Sequence, residues 1–184
     1  MSDMGKASLR VSMRSQGPVG SDVSGKIGNG LFQWLSPRLP GTISAFLPMT
    51  GEVDLQPLMG RLPGWRWVLP RVEPDRSLTF RDAGLPRETH PFGMDQPVGS
   101  GPIIPIHEID VFLVPGLAFD LGGGRLGNGA GHYDRILSQA RHDAESIGIA
   151  PAARVVETVP TEPHDVRVGW LATEAGVVSC PPSA

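Results

Sequence analysis

An α/β domain built on a mainly parallel sheet is the architecture this sequence predicts, and three observations carry it. Short apolar, strand-like runs alternate with segments of helical periodicity, the pattern of strands joined by crossover helices. The run IDVFLVP, residues 109–115, is apolar apart from its Asp110, as a strand buried on both faces of a parallel sheet must be. Hydrophobic residues make up 40 % of the 184, enough for one sizeable core. The expectation is therefore one domain over residues 1–184, with tails at 1–3 and 179–184.

Each element follows from its local pattern. Residues 4–14 predict a short helix that carries Lys6, Arg10 and Arg14 on one face, at i, i+4 and i+8. SQGPVGSDVSG, residues 15–25, interrupts it, and a second helix weakened by Gly28 and Gly30 runs from Lys26 to Leu35. TISAFLP (42–48) predicts a short buried strand. Asp54 to Leu62 is amphipathic, with Leu55, Leu58, Met59 and Leu62 at helical spacing and Pro57 near the start. WRWVLP (65–70) and SLTF (77–80) predict strands, the second more peripheral. Residues 82–108 are rich in Pro, Gly and Asp and predict loop. IDVFLVP then gives the central strand. A helix is expected from His132 to Glu145, followed by late strands at IGIA (147–150) and GWLAT (169–173).

Composition excludes several classes of function. Glycine (24) and proline (19) together approach a quarter of the chain, which predicts many turns but not wholesale disorder, given the apolar content. The net charge is −3, and the absence of a Lys/Arg stripe argues against nucleic acid as a partner. No apolar run reaches the length of a membrane span. The start MSDMGKASLR has no apolar core of a signal peptide. The single cysteine, Cys180, rules out an intramolecular disulfide and suits a reducing compartment. A cytoplasmic protein is expected.

The stretch GGGRLGNGAGHYDR, residues 122–135, carries the chemistry. Gly122 to Gly127 satisfies G-x-G-x-x-G, but PGLAFDL separates it from the strand and the helix opens only after Gly131, so a dinucleotide loop is not expected. An anion site is. Closely spaced glycines bare backbone N–H groups, a helix start offers more of them, and Arg125 supplies a planar bidentate donor. Asp134 has two readings of equal weight from spacing alone. It is a first-turn acid favourable at a helix start, or a ligand for a divalent cation shared with phosphate.

Beyond its glycines, the segment VPGLAFDLGGGRLGNGAGHYDRIL resembles the signature of the 5-formyltetrahydrofolate cyclo-ligase family, and KASLR, FLPMTGEVDLQPL, WVLPRV, PFGMDQP, PTEPHDVRV and LATEAGV resemble further family segments in the same order. The resemblance implies a three-layer α/β/α sandwich of the type shared with sugar-phosphate isomerases and CoA transferases. It implies an ATP- and Mg²⁺-dependent closure of 5-formyltetrahydrofolate to 5,10-methenyltetrahydrofolate, with ADP and phosphate released, by a monomer. It places Lys6, Arg10 and the run Arg125, Leu126, Gly127, Asn128, Gly129, Ala130, Gly131, His132 and Tyr133 at ATP. It places Leu47, Glu52, Phe92 and residues Asn128 to His132 at the folate, and Asp134 and Asp165 at Mg²⁺, with Arg125 and Asp134 the residues closest to the chemistry. His132 stands where the family usually has an aromatic. The rival readings are a catalytically silent folate- or nucleotide-binding relative, and a relative acting on another N-formylated substrate.

Overall fold

The computed structural model describes residues 5–91 and 93–181. In chain order the elements are α1 (Lys6–Arg14), α2 (Ser21–Leu35), β1 (Thr42–Ser44), α3 (Gln56–Arg61), β2 (Arg66–Val72), β3 (Leu78–Asp82), β4 (Arg87–Thr89), β5 (Asp95–Pro97), β6 (Val111–Pro115), β7 (Ala118–Phe119), β8 (Arg125–Leu126), α4 (His132–Leu137), β9 (Glu145–Ile149), β10 (Trp170–Thr173) and β11 (Gly176–Ser179). Seven strands form the main sheet in the order β11-β10-β9-β6-β1-β2-β3. The inner five run parallel, and β3 and β11 close the edges antiparallel. The expected α/β class and the central place of the 109–115 run are both borne out.

Alternation along the strands divides the core in two. Val111 and Leu113 of β6, Trp67 and Leu69 of β2, and Ile147 and Ile149 of β9 face one cluster, where they meet Ile27, Leu31 and Leu35 of α2 and Leu58 of α3. Phe112 and Val114 of β6, Val68 of β2 and Leu171 of β10 face the other, with Phe80, Phe119 and Ile136 of α4. A strand with apolar side chains on both faces reads as an unbroken apolar run, which is why β6 was legible. The two layers are unequal: α2 and α3 cover one face, while the other is covered by the six-residue α4 and irregular segments.

Several boundaries differ from expectation, each for a physical reason. Helix α2 starts at Ser21 and passes through Gly25, Gly28 and Gly30, because Ile27, Leu31 and Leu35 are fully buried against the sheet and tertiary packing outweighs glycine's low propensity. Helix α4 ends at Leu137 rather than Glu145. The Ser138 hydroxyl and the Gln139 side-chain amide both donate to the Arg135 carbonyl, competing with the helix ladder, and Glu145 opens β9 instead. Residues 82–108 hold the β4–β5 hairpin, tied to β2 by the Arg71 guanidinium, which donates to the Pro97 carbonyl and to Glu88. Residues 179 and 180 are not tail: Ser179 pairs with Trp170 across β10 and β11, and Cys180 is buried.

Candidate active site

The glycine stretch splits into two halves with different tasks. Residues 118–126 form the β7–β8 hairpin, and its turn wraps a buried carboxylate. Asp120, 4 % exposed, accepts the N–H groups of Gly122 (2.9 Å), Gly124 (2.8 Å) and Val159 (2.8 Å). The glycines are required by space. Gly123 sits at φ +82, with the Val168 carbonyl where a Cβ would stand, and a Cβ at Gly124 would meet the Asp120 carboxylate. The anion on which the amides of Gly122 and Gly124 converge is therefore internal, and they are not free for phosphate. Sequence reasoning missed Asp120, although an aspartate two residues before a glycine is an Asx-turn signal. The second half is open: Asn128, Gly129 and Ala130 are exposed, and Gly129 and Gly131 take positive φ.

Helix α1 lies across this open half. Leu9 and Met13 pack with Ala118, Leu126 and Val159 in a small core of their own, which turns the predicted basic face toward the loop. Arg10 Nε donates to the Gly127 carbonyl at 3.0 Å, and Arg14 reaches the Asn128 side-chain oxygen at 3.4 Å. Lys6 pairs with Asp165 at 2.5 Å and with Glu162 at 2.9 Å. Burial alone would lower the Lys6 pKa, but hydrogen bonds to Asp165 and Glu162 and their charges raise it. Burial likewise opposes ionisation of Asp165 most strongly, but the hydrogen bonds from Lys6 and the Glu162 N–H, with the charges of Lys6 and His164, together lower that pKa. The side chain of Leu126, expected beside ATP, is instead buried in the small core.

Arg125 and Asp134 meet each other. Arg125 is only 6 % exposed at its side chain and donates to Asp134 at 2.8 Å, while the other Asp134 oxygen accepts the Val166 N–H at 3.2 Å. Linked through the backbone N–H of Val166, which follows Asp165 and bonds Asp134, the Lys6–Asp165 and Arg125–Asp134 pairs form one corner. Its hard carboxylate oxygens suit Mg²⁺, and each oxygen can accept beyond the bonds already made. With α4 under two turns long, its dipole is a smaller contribution than the sequence suggested. His132 Nε2 lies 3.0 Å from the Arg76 carbonyl; partial burial lowers its pKa, helped by nearby Arg135, against the pull of that carbonyl. Among the described residues the Tyr133 hydroxyl is buried without a hydrogen-bond partner, and burial, then the charge of Glu52, raises its pKa, partly offset by the charge of Arg125.

A cavity of about 340 Å³ adjoins the loop, lined among others by Met13, Arg14, Met49, Glu52, Asn128 and Arg154. Glu52 sits in the turn after β1, where its carboxylate accepts the Met49 N–H at 3.0 Å. Burial raises its pKa, partly offset by that bond and by the charge of Arg154. Leu47 packs on the core just before this turn. Phe92 lies outside the described residues. Arg154, 7 % exposed, escaped the sequence reading, because nothing in PAARVV marks it locally.

Comparison with known proteins places this arrangement. The model of the 5-formyltetrahydrofolate cyclo-ligase family matches residues 26–174. The chain belongs to that family. A 5-formyltetrahydrofolate cyclo-ligase of Mycolicibacterium smegmatis is 32 % identical, over 97 % of this chain and 99 % of the relative. The solved structure of the Aquifex aeolicus 5,10-methenyltetrahydrofolate synthetase superposes with a TM-score of 0.83 at 28 % identity, covering 97 % of this chain and 94 % of that one. The Mycoplasma pneumoniae synthetase superposes at 0.77 with 26 % identity, over 93 % and 99 %. The two synthetase structures share the α/β class over most of this chain.

Proposed function

We infer that this chain is an ATP-dependent 5-formyltetrahydrofolate cyclo-ligase that yields 5,10-methenyltetrahydrofolate, ADP and phosphate. One observation carries the reading. The open glycine loop stands between a basic ridge, Lys6–Arg10–Arg14, and a cavity holding Glu52, and Asn128 and Arg14 belong to both sides. A triphosphate on the ridge and a pterin in the cavity would meet at the loop.

The chemistry needs positioning and charge stabilisation more than a nucleophile from the protein. The formyl oxygen attacks the γ-phosphorus and ADP leaves; N10 then attacks the phosphorylated formyl carbon and phosphate leaves. Lys6 and Arg10 offset the charge of the phosphates, and the bared backbone of residues 127–131 lets the γ-phosphate approach without Cβ obstruction. Arg125 sets the Asp134 carboxylate, and Glu52 accepts the paired N–H groups of the 2-amino-4-oxo ring. Asp134 and Asp165 would hold Mg²⁺, which screens phosphate charge when bound. The test mixes protein, ATP, Mg²⁺ and 5-formyltetrahydrofolate and follows methenyl absorbance. Product at a rate dependent on ATP is expected; folate binding without product would make the chain a silent relative, and no folate binding would sink the reading.

A further inference from the structure

Arg154 is a buried cation with nothing to bind. It is 7 % exposed, and among the described residues its guanidinium makes no hydrogen bond or ion pair. It lines both the main cavity and the small recess beside Phe46, Val53 and Gly116. Its charge acts on Glu52, yet the two close no direct ion pair, so a donor and an acceptor stand side by side and both stay available. The position is held firmly. The Arg154 N–H bonds the Pro151 carbonyl at 2.8 Å, and the Ala152 N–H bonds the Glu174 carboxylate at 2.8 Å. A guanidinium that lines the cavity with its five donors unpaired can take acceptors from a ligand.

We propose that Arg154 is a specificity residue that donates to the 4-oxo group of the substrate's pterin, next to Glu52. The argument is one of matching edges. A 2-amino-4-oxo ring presents, in order, an amino donor, the N3–H donor and the C4 oxygen acceptor. A carboxylate followed by a guanidinium presents the complement. A 2,4-diamino ring replaces the C4 oxygen with a donor and leaves Arg154 opposed by N–H, so Arg154 discriminates against it. This rests on the cyclo-ligase reading of the cavity.

The experiment measures binding by calorimetry for the wild type, Arg154→Gln, Arg154→Met and Glu52→Gln, with melting curves to confirm folding. The ligands are 5-formyltetrahydrofolate, 5-formyltetrahydropteroate (which lacks the glutamate) and a 2,4-diamino pteridine analogue; a non-hydrolysable ATP analogue is the control. Both Arg154 variants should lose roughly ten- to hundredfold affinity for the two 4-oxo ligands, the range for a charge-assisted hydrogen bond, and the preference over the diamino ring should shrink. The loss should persist at alkaline pH, where Glu52 is ionised in the wild type and in both Arg154 variants. Loss confined to the glutamate-bearing ligand would assign Arg154 to the tail carboxylate and overturn the proposal. So would loss confined to the ATP analogue, or unchanged discrimination in Arg154→Gln, the variant chosen in case Arg154→Met does not fold. A wild type that binds no folate, or Glu52→Gln without effect, would remove the cyclo-ligase reading and this proposal with it. Normal turnover with Glu52-dependent binding and silent Arg154 variants would remove this proposal alone.

Discussion

Asp120 shows how one side chain can decide what a glycine run does. Three backbone N–H groups point at its carboxylate inside the protein. Asp120→Ala strands them, at roughly 1–3 kcal/mol for each buried group left unpaired. For a chain of this length each kcal/mol lowers the melting temperature by about 2–4 °C. Asp120→Ala should therefore melt well below the wild type and Asp120→Asn, which keeps one acceptor, should lie between them; coincident melting curves would refute the internal-anion role. Glu52 predicts a pH effect. Its folded pKa lies above the ordinary 4.5 because burial disfavours the charged form. It must be ionised to accept the pterin's N–H groups, so folate affinity should fall as pH drops, beginning above the usual carboxylate range. Glu52→Gln should flatten that profile and raise the KM for folate, and a profile unchanged in the variant would place the titrating group elsewhere. Asp134→Asn should raise the Mg²⁺ concentration needed for half-maximal turnover; an unchanged Mg²⁺ dependence would leave Asp134 as the partner of Arg125 only.

Helix α1 is the element that builds the site from a distance. Its apolar stripe, Leu9 and Met13, docks on the hairpin core, and its basic stripe then falls across residues 127 and 128. Nine residues are too few for a stable isolated helix, so docking supplies its order. Removing Lys6 and Arg10 together should raise the KM for ATP by more than tenfold while leaving binding of folate alone within about twofold, if each contact is worth the usual 1.5–3 kcal/mol of a charge-assisted bond. Steady-state kinetics in both substrates read this out, and equal losses for ATP and folate would show that α1 shapes the cavity more than it binds phosphate. Arg14, shared between loop and cavity, is the one position on the helix where both constants should move.

For the whole molecule, the sheet separates stability from function. The parallel strands carry two apolar clusters, while the site is assembled from the segments around them: α1, the turn after β1, the loop after β8 and the segments after β9. A ligand that bridges these segments should stabilise the fold by mass action. ATP analogue and 5-formyltetrahydrofolate together should raise the melting temperature by more than the sum of their separate shifts, and additive or smaller shifts would argue against a shared site. Among the described residues no helix is long and apolar enough to cross a membrane. The proposal that the chain acts as a monomer predicts a mass near 19.6 kDa by light scattering at assay concentrations.

Periodicity is local, and what was local was legible. The alternation of strands and helices, the doubly buried β6 and the basic stripe of α1 follow from side-chain spacing alone, and the segment from Val114 to Leu137 with six further segments in order suggested the family. Element ends were less legible. Burial of Ile27, Leu31 and Leu35 carries α2 through three glycines, and side-chain bonds to the Arg135 carbonyl stop α4 early; the first depends on distant partners, the second on bonds three and four residues apart that hydrophobic periodicity does not register. The site shows the same division more sharply. Sequence could nominate Lys6, Arg10, Glu52, Asp134 and Asp165, because they fall in segments that resemble those of the cyclo-ligase family. It could not show that Gly122 and Gly124 already hold an anion, that Arg125 is paired with Asp134, or that Arg154 is left unpaired beside Glu52. Those facts turn on how the folded chain orients groups, whether close in sequence, as Asp120 and Gly122, or far apart, as Glu52 and Arg154, and only the fold decides that.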